Sequence, residues 1–157
     1  MLKRLKIGGR WSLPLLWLAA AVALYAATLT PAPPAGQVVY HVVTRAHVGQ
    51  PLALWAALCA VFYALLSWVR APYSVVLGLM HLGVTVIGAA LMLAPAMILR
   101  TSGLPAGPDA VSTAALFSRL QGIGQIVTWA GLVVLAGVLV QMVVRSWRQD
   151  AAEAGSV

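Results

Sequence analysis

Four times between Trp11 and Val144 the chain enters a long apolar block that holds no acidic residue: Trp11–Thr30, Pro51–Val69, Tyr73–Leu99 and Ile123–Val144. A helix crosses roughly 30 Å of hydrocarbon with about 20 residues, so each block is long enough to span a bilayer. Together they use more than half of the 157 residues and leave no room for a separate soluble domain. Only 8% of the chain is charged and 62% is apolar, where a soluble domain carries about a quarter charged residues. The expected fold is all-α, an integral-membrane four-helix bundle forming one domain over residues 1–157. Its spans are expected at about 11–30, 40–69, 73–99 and 122–145, with a basic arm over 1–10 and a polar tail over 146–157. A cleaved signal peptide competes for the first block, but that apolar run is longer than a signal core, and a retained span is expected.

A net charge of +7 invites comparison with nucleic-acid binders, yet its distribution has another explanation. Lys3, Arg4, Lys6, Arg10, Arg70, Arg145 and Arg148 fall on one side of the four blocks, and Arg45, Arg100 and Arg119 on the other. That bias predicts both termini in the cytoplasm. Trp11, Trp68 and Trp147 lie at the same inner boundary, where indoles favour the headgroup layer. The basic charge is topological. Cys59 is the single cysteine, which rules out an intrachain disulfide and cysteine-based zinc or iron–sulfur ligation. An acidic residue inside a span, which proton and cation pathways usually require, is missing from all four. No nucleophile–base pair, phosphate loop or metal cluster stands out, so independent enzymatic activity is not expected.

Proline and glycine punctuate the blocks. The loop "TPAPPAGQ" cannot be helical, and Pro51 should bend the second helix early because it removes a backbone donor. "RAPY" at Arg70–Tyr73 predicts a tight turn, its proline biasing Ala71 away from helix. Asp109 is a candidate N-cap. The stretch "VSTAALFSRLQGIGQ" is expected to lie partly in the interface before turning into the last span. Gly78, Gly83, Gly88, Ala89 and Ala90 crowd the third block, and Gly122, Gly124, Gly131 and Gly137 the fourth. Membrane helices approach closely through such residues, since lipid supplies no hydrophobic drive between them. Gly83, Gly88, Pro95 and Gly124 are the expected packing positions.

Polar side chains gather at "YHVVTRAHVGQ", Tyr40–Gln50. On a helix His41 and Arg45 share one side and His47 points nearly the other way. Two arrangements fit. The helix could be wedged between two polar sites, or Arg45 could snorkel to the outer interface beside one packed histidine. His81 should lie roughly 13 Å in from the inner end of its helix, and His47 about 10 Å in from the outer end of an antiparallel one. Such a separation makes them poor axial partners for one iron, and a haem here would need a ligand from another chain.

These residues resemble the last third of the large catalytic subunit of haem–copper oxidases, subunit I of cytochrome c oxidase. "YHVVTRAHV" at Tyr40–Val48 lies without a gap over that family's "YYVVAHFHY", agreeing at Tyr40, Val42, Val43 and His47. After 34 residues comes His81, and the following "HLGVTVIGAALMLAPAMILRTSGLPAG" resembles the family's "HF…G…LTFFP.HFLGL.GMPRR". There His81, Gly88, Leu91, Pro95, Leu99, Ser102, Gly103 and Pro105 fall in register. "PDA" at Pro108–Ala110 matches "YPDAY" after a shortened loop, and Ile123–Gly124 resembles the "SSIGS" that opens the family's final helix. The likeness covers most of the chain and is strongest over residues 81–110.

The departures bear on function. The first histidine of the family's "HFH" ligates the oxygen-binding haem and the second the low-spin haem; here Arg45 replaces the first and His47 retains the second. A guanidinium offers no lone pair to iron. Ala106–Gly107 stands where paired arginines hold the haem propionates, and everything carried by the family's earlier helices, the copper ligands included, is missing. The resemblance therefore implies a non-catalytic subunit of a bacterial electron-transfer complex, most readily a terminal oxidase of the inner membrane, packed against larger membrane subunits and lipid. It implies no copper. Two alternatives follow: a membrane electron carrier in which His47 shares a haem with a partner chain, and an oxidase assembly factor. Neither nucleic acid nor a small-molecule substrate of its own is expected.

Overall fold

The computed structural model describes residues 11–29, 48–102 and 109–154. It is all-helical over these residues: α1 covers Ser12–Thr28, α2 Gln50–Trp68, α3 Val75–Ser102 and α4 Asp109–Ala154. Helices α2, α3 and α4 are long and apolar enough to cross a membrane. The 17 residues of α1 span only about 26 Å at 1.5 Å each, somewhat short of a full crossing. Residues 40–47 of the expected second span, with His41, Arg45 and His47, lie outside the described residues.

Local chemistry sets the helix ends. Pro14 sits in the first turn of α1, where its missing N–H costs nothing. Pro51 occupies the first turn of α2, just after a π-type turn at residues 48–49. Trp68 closes α2 through a complete Schellman arrangement: the Ala71 N–H donates to the Leu66 carbonyl at 2.9 Å and the Arg70 N–H to that of Ser67 at 3.4 Å. Arg70 takes the left-handed position, φ 56°, which glycine would fill without strain. Pro72 follows and is bridged by a Tyr73 N–H bond to the Ala71 carbonyl at 3.0 Å, the inverse γ-turn geometry common in loop starts. Ser74 then caps α3, its Oγ accepting from the Leu77 N–H at 3.4 Å. The "RAPY" turn is as tight as the sequence requires.

Helix α4 overturns one expectation. It runs unbroken for 46 residues, roughly 69 Å, with no turn between the "VSTAALFSRLQGIGQ" stretch and the last apolar block. Gly122 and Gly124 do not break it, because Gly124 is held in a close helix crossing. A Cβ on Gly124 would lie 2.7 Å from the Gly88 carbonyl oxygen, and one on Gly88 would lie 2.8 Å from that of Gly124. The two backbones touch, in antiparallel register, through the absence of side chains. Thr128 Oγ1 donates back to the Gly124 carbonyl at 2.9 Å, one turn on. Pro95 is buried inside α3, where it removes one backbone donor without ending the helix. Gly83, grouped with these by sequence, makes no close approach to a described neighbour: a Cβ there would meet nothing within 4 Å.

The packing is two helix pairs joined through α1. Helix α1 lies along α2, α3 along α4, and α1 also touches α3. Leu13, Trp17 and Ala21, spaced four apart, present one face of α1 to Ala56, Cys59, Ala60, Tyr63 and Leu66 of α2. Val138 of α4 completes this cluster. Arg145 of α4 reaches the Pro72 carbonyl at 3.4 Å and ties the fourth helix to the α2–α3 turn.

Candidate functional site

The polar centre of the described structure lies where α1, α2, α3 and α4 converge. His81 has no exposed surface. Its Nδ1 lies 3.1 Å from the Tyr63 hydroxyl, and its ring packs on Trp17 with centroids 4.7 Å apart and planes tilted by 50°. Trp17 in turn stacks on Tyr63 at 6.2 Å and 14°. Thr85, one turn beyond His81 on the same face of α3, is buried as well. Gly131 of α4 faces both: a Cβ there would approach Thr85 Oγ1 to 2.7 Å and His81 Cδ2 to 3.7 Å. All four helices therefore contribute, α3 with two residues, and the glycine makes the approach of the fourth possible.

Aromatic hydroxyls continue from this centre toward the α2–α3 turn. Tyr73 lies 5.8 Å from Tyr63, centroid to centroid, and its hydroxyl is 3.0 Å from Ser67 Oγ. Ser67, with Trp11, Trp68 and Arg70, lines a surface depression of about 530 Å³. Polar groups thus extend from a surface at the Arg70 end to the middle of the bundle. An ionisable group held at such depth is costly and marks a candidate site.

His81 itself is not arranged to ligate haem. With Nδ1 engaged by Tyr63 and the ring covered by Trp17, Nε2 has no surface to offer a porphyrin unless three helices part. His81 is the single histidine among the described residues. No group of three histidine, cysteine or acidic side chains able to hold a metal occurs among them either. Cys59 is buried in the α1–α2 core as a free thiol. His47, the residue that the oxidase resemblance puts forward, lies outside the described residues together with His41 and Arg45. No protein-family profile, curated protein or solved structure matches the chain.

Sequence inspection singled out His81 but missed its company. The i, i+4 spacing of His81 and Thr85 was the available signal for a polar face on α3. Trp17 and Tyr63 carry no such mark, since each reads as one more aromatic in an apolar helix until α1 and α2 are docked.

Proposed function

We propose that this chain is a non-catalytic integral-membrane subunit of a bacterial electron-transfer complex, a terminal oxidase in the first instance, held in the inner membrane with both termini cytoplasmic. One observation carries the subunit role: a stripe of α4 that nothing among the described residues covers. Ile126, Trp129, Val133, Val140 and Trp147 are 62–73% exposed and recur at helical spacing along one side. Gly122 and Gly137 lie on the same stripe, and a Cβ on either would meet nothing within 4 Å. A position facing only lipid gains nothing from glycine, whereas a partner helix seats closely against one. Just 11% of the most apolar window of α4 is buried, against 44% for α2. The oxidase assignment rests on the sequence resemblance over residues 40–110. The charge bias across the helices supports the orientation.

A groove of about 680 Å³ between α1 and α2, lined by Leu18, Val22, Tyr25, Pro51, Leu54 and Ala57 among others, supports lipid as a second contact. Affinity purification at native expression level in a mild detergent tests the reading. Larger redox subunits should co-purify at fixed stoichiometry, and Gly137→Leu should abolish their recovery while the variant still folds. Recovery of the chain with no redox subunit refutes it. Substoichiometric recovery would favour the assembly-factor alternative instead.

A further inference from the structure

Three buried polar atoms around the imidazole of His81 have no partner among the described residues: Trp17 Nε1, His81 Nε2 and Thr85 Oγ1. Their residues are 0%, 0% and 2% exposed. A buried polar group left dry is costly, so three on adjoining side chains need an explanation. The side chains that carry them adjoin one another. His81 and Thr85 are one turn apart on one helix face, the Nε2–Cδ2 edge of His81 and the Thr85 hydroxyl both meet Gly131, and the Trp17 ring lies against the imidazole.

Counting hydrogens identifies what fits. The Tyr63 hydroxyl is the better donor of its pair and gives its proton to Nδ1, which leaves Nε2 of a neutral imidazole as an N–H. The indole Nε1 is a donor only. Two N–H groups and one hydroxyl on adjoining side chains then lack partners. We propose that a single buried water molecule occupies this point, accepting from Trp17 Nε1–H and His81 Nε2–H and donating to Thr85 Oγ1. Three hydrogen bonds is the usual complement of an internal water. Two N–H donors disfavour a cation, and an anion would be buried with no charged side chain among the described residues around the point to offset its charge. The water makes Thr85, which touches neither ring in a bond of its own, the third member of the site and joins α1 to α3 through hydrogen bonds that the side chains alone do not make.

The test is water-to-protein magnetisation transfer by NMR on the full chain, nitrogen-15 labelled at histidine and tryptophan, in lipid nanodiscs. The expected result is transfer from a slowly exchanging water to both the His81 Nε2 proton and the Trp17 indole proton, with nitrogen shifts showing Nε2 protonated and Nδ1 bare. Thr85→Val should weaken both transfers severalfold, whereas Thr85→Ser should keep them. Absence of transfer to either ring in the wild type, or a bare Nε2 with Nδ1 protonated, overturns the proposal. So does undiminished transfer in folded Thr85→Val.

Discussion

Replacing Gly124 with alanine adds one methyl group at the point where α3 and α4 touch. That carbon would sit 2.7 Å from the Gly88 carbonyl oxygen and 2.8 Å from the Met92 amide nitrogen. Both are backbone atoms of a helix and cannot rotate away. Ordinary contact begins near 3.4 Å, so the two helices must separate locally by roughly 0.7 Å, and every contact along the crossing weakens with them. Overpacking of this kind costs about 1–3 kcal/mol, partly offset by the better helix propensity of alanine, worth up to about 1 kcal/mol. The net expectation is destabilisation by about 1–2 kcal/mol, a 5- to 30-fold rise in the unfolding constant. Gly137→Ala provides the control. It gains the same propensity but meets nothing within 4 Å, and should be neutral or slightly stabilising. Titrating detergent-solubilised protein with a denaturing detergent, followed by circular dichroism, measures both. If Gly124→Ala proves as stable as Gly137→Ala, the close crossing of α3 and α4 is wrong.

Further outcomes follow from the same structure. Tyr63→Phe removes the partner of His81 Nδ1 and should destabilise the fold by about 1–3 kcal/mol; a variant as stable as the parent would show that the imidazole finds another partner. Arg70→Gly relieves a left-handed residue and should raise the unfolding midpoint by the equivalent of about 1 kcal/mol, read in the same titration. Ser74→Ala deletes the α3 cap and should cost about 0.5–1 kcal/mol, the low end being expected from a bond of 3.4 Å.

Much of the architecture was legible because the apolar blocks are long and uninterrupted, and α1 to α4 fall on the four such blocks of the sequence. The "RAPY" turn was also readable, since Pro72 forbids helix before it and Ser74 invites one after it. Reading failed at the turn expected within "VSTAALFSRLQGIGQ", because a polar stretch ahead of an apolar block looks like a change of direction. Helix α4 instead runs straight through it, and Gly124, a packing position by sequence, lies against Gly88 within that unbroken helix. Gly83 meets no described neighbour; a glycine count along α3 does not say which side of the helix lies against another. The Trp17–Tyr63–His81–Thr85 centre was hidden for a related reason. Its members come from three helices, and no spacing within one chain segment encodes how those helices are rotated about their axes.

The unequal helix lengths would have a consequence for any bilayer that the helices cross. Helices α1 and α2, of 17 and 19 residues, reach about 26 and 29 Å, while α3 with 28 reaches about 42 Å and α4 extends further still. Placed in a bilayer with about 30 Å of hydrocarbon, the α1–α2 flank would match or fall just short of it and the α3–α4 flank would exceed it. Such hydrophobic mismatch costs fractions of a kcal/mol per Å and is relieved by local thinning of lipid or by helix tilt. In that setting the unequal pairs would give the molecule a preferred lean and a preferred membrane thickness.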